Sequence, residues 1–351
     1  MLKNALPVLA FFLLAACTNH ALHTASSPEG FSGEQVRLIG RFEQKDGEAA
    51  FTWPGSALAF RFEGTEAGIT IASNGRVRFE VDVDGVVADL WVEEGERFYT
   101  LASGLQPGRH DLRLTRLTES FSLVTRFTQD PQVDGKLLAA PAAPQRRLLA
   151  VGDSITAGYG VEGESYACHY APETSNQQLT YAALAAEALN ADLHSIAWSG
   201  IGAWRSYGEE KPVNPTILER YQRTLADDPE SRWDVARYQP DAITIAIGTN
   251  DYWQGSVTDE YQLRMISLID RVQRDYPGKP IYLIVSPMLS GAARDDHKAR
   301  LTALEESQVH MLDLGKIEPA DGYGCDYHPN LTTQRRAAQA LTQRLRTDLN
   351  W

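Results

Sequence analysis

Two different periods of apolar residues divide the chain. Between residue 31 and about residue 133, short runs alternate apolar and polar positions: Ala57 to Phe62, Gly68 to Ile71, Val77 to Val83, Arg97 to Leu101 and His110 to Leu114. A period of two puts one face of a strand against a core and the other in water. Asp84-Gly85 and Pro107-Gly108 supply turns between such strands. With no helical period among them, residues 31–133 predict an all-β sandwich of jelly-roll type. The Ala- and Pro-rich stretch from Asp134 to Arg147 reads as the passage to a second unit.

From 146 to 351 the pattern becomes apolar strand, then helix, repeatedly. Leu148 to Val151, Asp192 to Ala197, Ala242 to Ile247, Ile281 to Val285 and Val309 to Leu314 are predicted strands. Leu179 to Asn190, Glu260 to Tyr276, Arg294 to Ser307 and Thr332 to Leu349 are predicted helices, with Leu263, Ile266, Ile269 and Val272 expected on one buried face. Such alternation predicts an α/β unit, a parallel sheet flanked by helices on both faces.

Ligands of parallel sheets bind at the carboxyl ends of the strands, and the chemistry-bearing residues of this chain fall there. Gly152-Asp153-Ser154-Ile155-Thr156 follows the first strand, Gly248-Thr249-Asn250-Asp251 follows the third, and Asp326-Tyr327-His328-Pro329 comes after the last. Acyl transfer needs a nucleophile, a base and donors for an oxyanion. Ser154 is the expected nucleophile and His328 the base, with the N–H groups of Ser154 and Gly200 and the Asn250 amide as the oxyanion donors. Trp204 and Trp253 are the expected substrate walls, since aromatic faces suit sugar rings. Asp153 and Asp251 are expected to bond loop backbone, and Glu43, Glu63 and Glu80 to face solvent. The eight histidines are not spaced as a ligand pair, so neither a metal nor any other cofactor is expected.

The net charge of -13 argues against nucleic acid as a partner, because no basic stripe is available to displace counterions from phosphates. Lys3, the apolar stretch Leu6 to Leu14 and Leu14-Ala15-Ala16 read as an export signal over 1–16. Leu-Ala-Ala-Cys resembles the bacterial lipobox, so Cys17 is the expected lipidated residue and 17–30 a polar tether. The membrane is then contacted through this anchor alone, at the bacterial cell envelope, by a protein expected to be a monomer. The other cysteines, Cys168 and Cys325, would lie in a compartment where disulfides persist and are expected to pair; two buried free thiols are the alternative.

Gly-Asp-Ser-Ile-Thr, Trp198-Ser199-Gly200, Gly248-Thr249-Asn250-Asp251 and Asp326-Tyr327-His328-Pro329 resemble the four signature blocks of the SGNH hydrolases, which implies a flavodoxin-like domain. More narrowly, Ser154 to Asn176 with Ala171-Pro172-Glu173-Thr174, Ala197-Trp198-Ser199-Gly200 and Gly324-Cys325-Asp326-Tyr327-His328-Pro329 resemble carbohydrate esterase family two. That resemblance covers about residues 31–350 and implies a jelly roll before the hydrolase domain. It also implies deacetylation of plant cell-wall polysaccharide such as acetylated xylan or glucomannan. Many SGNH hydrolases place the acid that orients the histidine three residues before it, where this chain has Cys325. Asp326 stands two before, as is usual in family two, and in some members a backbone carbonyl fixes the ring instead. We take the Asp326 carboxylate ahead of the Tyr327 carbonyl. Two alternatives stand beside the deacetylase: a lipase or thioesterase with the same machinery, and an inactive glycan-binding surface lipoprotein.

Overall fold

The computed structural model describes residue 31 and residues 33–121 and 123–351. The expected export signal, Cys17 and the tether lie outside the described residues.

Among the described residues, twelve strands build the first unit: β1 (Val36–Ile39), β2 (Glu43–Lys45), β3 (Glu48–Phe51), β4 (Ala57–Gly64), β5 (Ala67–Ser73), β6 (Val77–Val83), β7 (Val86–Val92), β8 (Gly95–Ala102), β9 (Gly108–Arg116), β10 (Thr125–Phe127), β11 (Gln132–Val133) and β12 (Lys136–Leu138). They form two antiparallel sheets. One runs β1-β4-β9-β6-β7 with β12 paired to β4, and the other β11-β5-β10-β3-β2 with β8 paired to β5. Alternation turns Phe60, Phe62, Phe79, Ile69 and Ile71 inward, where they meet Phe42, Phe51 and Phe127 in a common core. Asp84 and Gly85 both take positive φ, 54° and 85°, as a two-residue hairpin between β6 and β7 requires. The passage to the second unit begins later than its composition suggests, because Lys136–Leu138 still pairs with β4.

The second unit is a five-stranded parallel sheet of β13 (Arg146–Gly152), β14 (Ala191–Ala197), β15 (Ala242–Ala246), β16 (Ile281–Ile284) and β17 (Val309–Leu312). Its order, β14-β13-β15-β16-β17, is the flavodoxin-like 2-1-3-4-5 arrangement, in which the chain reverses direction of travel at β13. The helices are α1 (Ser154–Ala157), α2 (Tyr181–Ala188), α3 (Ile217–Tyr221), α4 (Asp259–Asp275), α5 (Gly291–Thr302) and α6 (Leu331–Leu349). Ala182 and Ala185 of α2 pack with Leu341 and Leu345 of α6 in one core. Met265, Leu268 and Val272 of α4 belong to another. The face of α4 is rotated from the expected one: Tyr261, Met265, Leu268, Ile269 and Val272 are buried, whereas Leu263 and Ile266 are exposed. Tyr261 and Met265 complete a 3.6-residue stripe with Leu268, Ile269 and Val272 that Leu263 and Ile266 do not share.

Side chains of the first unit are buried against the second. Trp53 of the sandwich is fully buried within the core of the parallel-sheet unit. Arg41 is buried as well and donates through Nη1 to the carbonyls of Tyr221 and Arg223, the latter at 2.8 Å. Gly40 N–H donates to His194 Nε2 at 3.0 Å, and Arg37 pairs with Asp192 at 3.0 Å.

Candidate active site

Strand β13 ends at Gly152, and Asp153 caps the short helix α1 by accepting the N–H of Ile155 at 3.0 Å. This turn sets Ser154 at the carboxyl edge of the sheet with its hydroxyl aimed at His328; Oγ lies 2.8 Å from Nε2. The loop after α1 then meets the histidine segment backbone to backbone. Gly160 O accepts the N–H of Cys325 at 3.1 Å, and a Cβ on Gly160 would stand 2.9 Å from that same nitrogen. Only glycine permits the approach. Cys168 and Cys325 form a disulfide with their Cα atoms 4.6 Å apart, closing the same contact covalently.

The imidazole is oriented by main chain. His328 Nδ1 lies 3.0 Å from the Cys325 carbonyl and 3.2 Å from that of Asp326. A proton on Nδ1 satisfies these acceptors and leaves the Nε2 lone pair toward Ser154. Burial lowers the pKa of His328 below its ordinary value, against the two carbonyls and the charge of Asp326, which favour the cation. A ring that is mostly neutral near pH 7 is what a general base needs.

An open cleft of about 420 Å³ lies over Ser154 and His328, walled by Tyr159, Ser199, Gly200, Tyr207, Asn250, Trp253 and Met288 among others. Gly200 adopts φ +79°, and a Cβ there would meet nothing within 4 Å. Neither its N–H nor that of Ser154 donates a backbone hydrogen bond among the described residues. The Asn250 amide donates to Ile201 O at 2.7 Å, and a second amide hydrogen remains. Asp251 holds the same loop from beneath, accepting the N–H groups of Ala203, Trp204 and Arg205 at 2.9, 2.8 and 3.0 Å. Burial raises the Asp251 pKa to about 6, against these bonds. The arrangement can deprotonate a serine, attack an acyl carbon and receive negative charge on backbone N–H groups.

Known proteins share this architecture. Residues 38–141 match the model for the carbohydrate esterase 2 N-terminal domain, and residues 150–336 that of the GDSL-like lipase/acylhydrolase family. A family two carbohydrate esterase from Clostridium thermocellum, solved with cellohexaose, superposes with a TM-score of 0.85 at 33% identity, covering 90% of this chain and 99% of that one. This chain belongs to carbohydrate esterase family two. The cellulase/esterase CelE of Acetivibrio thermocellus is 35% identical over 325 residues, 89% of this chain, and the chain spans 39% of its length. An acetylxylan esterase / glucomannan deacetylase of Cellvibrio japonicus is 27% identical over the full length of both chains.

In this family two esterase, two of the expected roles need correction. The Asp326 carboxylate does not face the imidazole: Oδ2 accepts from Tyr159 Oη at 2.6 Å and Oδ1 meets His169 Nδ1 at 2.7 Å. Asp326 and Tyr327 sit at φ 50° and 63°, and this left-handed turn swings the Cys325 and Asp326 carbonyls, not that of Tyr327, under the ring. Burial opposes ionisation of Asp326, but its bonds to Tyr159 and His169 and the nearby histidine charges hold its pKa below the usual value. Trp204 does not wall the cleft; it is half-buried against the core and Arg205 lies 4.9 Å over its ring. Tyr207 takes that place beside Trp253, whose indole N–H donates to Glu209 O at 2.9 Å. Asp153 and Asp251 bond loop backbone, as expected.

Other contributors escaped the sequence reading. Tyr159 stacks on His328 with ring centroids 4.2 Å apart. Its position five residues after Ser154 was the available signal. Glu119, from the sandwich, reaches Ser199 with its carboxylate. Nothing in the pattern of the first unit marks it.

Proposed function

We propose that this esterase removes O-acetyl groups from plant cell-wall polysaccharide, acetylated xylan or glucomannan, through an acyl-enzyme on Ser154. The observation that carries the reading is the 2.8 Å contact between Ser154 Oγ and a histidine whose other nitrogen is tied to backbone carbonyls, at the floor of an open cleft. His328 takes the Ser154 proton as Oγ attacks the acetyl carbon. The N–H groups of Ser154 and Gly200, with the Asn250 amide, receive the oxyanion. The protonated ring then gives its proton to the departing sugar hydroxyl, and water repeats the sequence to release acetate. Tyr207 and Trp253 offer aromatic faces to the polymer. The names of the relatives support a carbohydrate substrate. We also propose export and lipid anchoring through Cys17, on the strength of its lipobox-like sequence.

Acetate release from acetylated xylan and glucomannan, beside hydrolysis of 4-nitrophenyl acetate and butyrate, tests the activity. Ser154→Ala is expected to lower kcat on all acetyl substrates by on the order of 10⁴- to 10⁶-fold. Preference for the longer ester, or full turnover by Ser154→Ala, would sink the reading.

A further inference from the structure

The loop that carries Gly200 is held from several directions, and one hold comes from the other unit. Asn250 fixes Ile201, and Asp251 fixes residues 203–205, all from the end of β15. The first residues of the loop are fixed from the sandwich. Glu119 accepts the Ser199 N–H at 3.1 Å through Oε2, and the Ser199 hydroxyl bonds to Oε1. Ser199 itself lines the cleft, adjoining Gly200.

Glu119 is a costly residue to place there. The residue is 1% exposed, and burial raises its pKa to about 8 against the bonds from Ser199. The backbone around it is held by buried hydrogen bonds. Arg116, fully buried, donates to the carbonyls of Thr118, Leu123 and Glu119 at 3.1, 3.0 and 2.7 Å, and Leu117 N–H donates to Arg78 O at 2.9 Å. A carboxyl sequestered on such a platform, with both oxygens on one residue, over-determines the position of that residue. It remains bonded in either protonation state, since the carboxylate accepts from the Ser199 hydroxyl and the acid can donate to it.

We propose that Glu119 is a positioning residue for the oxyanion-binding loop, so that the sandwich completes the active site by fixing Ser199 and aiming the adjacent Gly200 N–H into the cleft. This rests on the esterase reading and deepens it. Oxyanion stabilisation depends on donors already in place when charge develops. A donor left a few tenths of an ångström out of line weakens the transition state while leaving ground-state sugar contacts on Tyr207 and Trp253 largely alone.

The test uses the full chain and compares Glu119→Ala, Glu119→Gln and Ser154→Ala on 4-nitrophenyl acetate, with thermal melting of each. Glu119→Ala is expected to lower kcat by roughly 10- to 100-fold, less than the loss of a whole oxyanion donor, with KM within about threefold. Glu119→Gln, which can accept the N–H and donate to the hydroxyl, is expected to restore kcat to within a few-fold of the parent. Affinity for a small alkylboronic acid, which forms a tetrahedral adduct on serine, should fall in Glu119→Ala in proportion to kcat/KM. If Glu119→Ala does not fold, Glu119→Asp, which withdraws the carboxylate by one methylene, takes its place in the comparison. Parental kcat in the truncated variant, or equal losses in the Ala and Gln variants, or an unchanged boronate affinity, each overturns the proposal. An active Ser154→Ala overturns the underlying esterase reading instead.

Discussion

With Nδ1 of His328 satisfied by two carbonyls, the Asp326 carboxylate is left to act on the ring only through its charge. That charge stabilises the imidazolium and so raises the pKa of the base. Removing it lowers that pKa further, and because the neutral ring is the active form, the acid limb of the kcat/KM profile should move to lower pH. Asp326→Asn is therefore expected to keep turnover at neutral pH within a few-fold while shifting its acid limb downward. A drop of a thousandfold, as for loss of an orienting carboxylate, would restore Asp326 as a direct partner of the ring. Ser154 and His328 were legible as candidates because their motifs stand at strand ends, where the sheet's polarity gathers loops. The orienting carbonyls were not. Their direction is set by positive φ at Asp326 and Tyr327, and neither residue type announces a left-handed turn as glycine does.

The element that carries the base is a short turn between β17 and α6, and it is held by the disulfide at one end and by α6 at the other. Cys325 O bonds the imidazole while Asp326 N–H donates to Cys168 O at 3.0 Å, so the single peptide unit joining Cys325 to Asp326 serves both the imidazole and the loop that carries the other half of the bridge. Cys168→Ser is expected to lower kcat and to destabilise the fold by up to about 4 to 5 kcal/mol, the loop-entropy value for so long a closed loop. Activity and melting measured with and without reductant check this; a parental enzyme indifferent to full reduction would refute it. Regular elements of the parallel-sheet unit were largely readable, since β13, β14 and α6 coincide with their apolar runs to within a few residues. Elements at the rim were less so. β7 exposes Val86 and Val87, and β12 is three residues long, so neither carries the inward alternation that marks a strand. On α4 the apolar Leu263 and Ile266 misled because exposed apolar residues are common on protein surfaces.

At the scale of the molecule, the boundary between the units resembles a core rather than a hinge. Trp53 enters the second core, and Arg41 spends a buried guanidinium on the carbonyls of Tyr221 and Arg223. Composition and periodicity separate the units along the chain, but they carry no information about which side chains cross between them; a buried arginine reads in sequence as an ordinary surface charge. Burial lowers the Arg41 pKa to about 10, still leaving it charged at neutral pH. Replacing it with methionine keeps much of the volume and removes the donors, stranding two carbonyls away from water. Each such orphan costs about 1 to 3 kcal/mol, so with two of them Arg41→Met is expected to lose roughly 2 to 6 kcal/mol. Because the boundary is shared, the loss should appear as a downward shift of a single unfolding transition, followed together by the catalytic activity and by tryptophan fluorescence. Two separated transitions in Arg41→Met, with activity tracking only the second, would mean that the units are stable apart and that the sandwich can leave without disturbing the site.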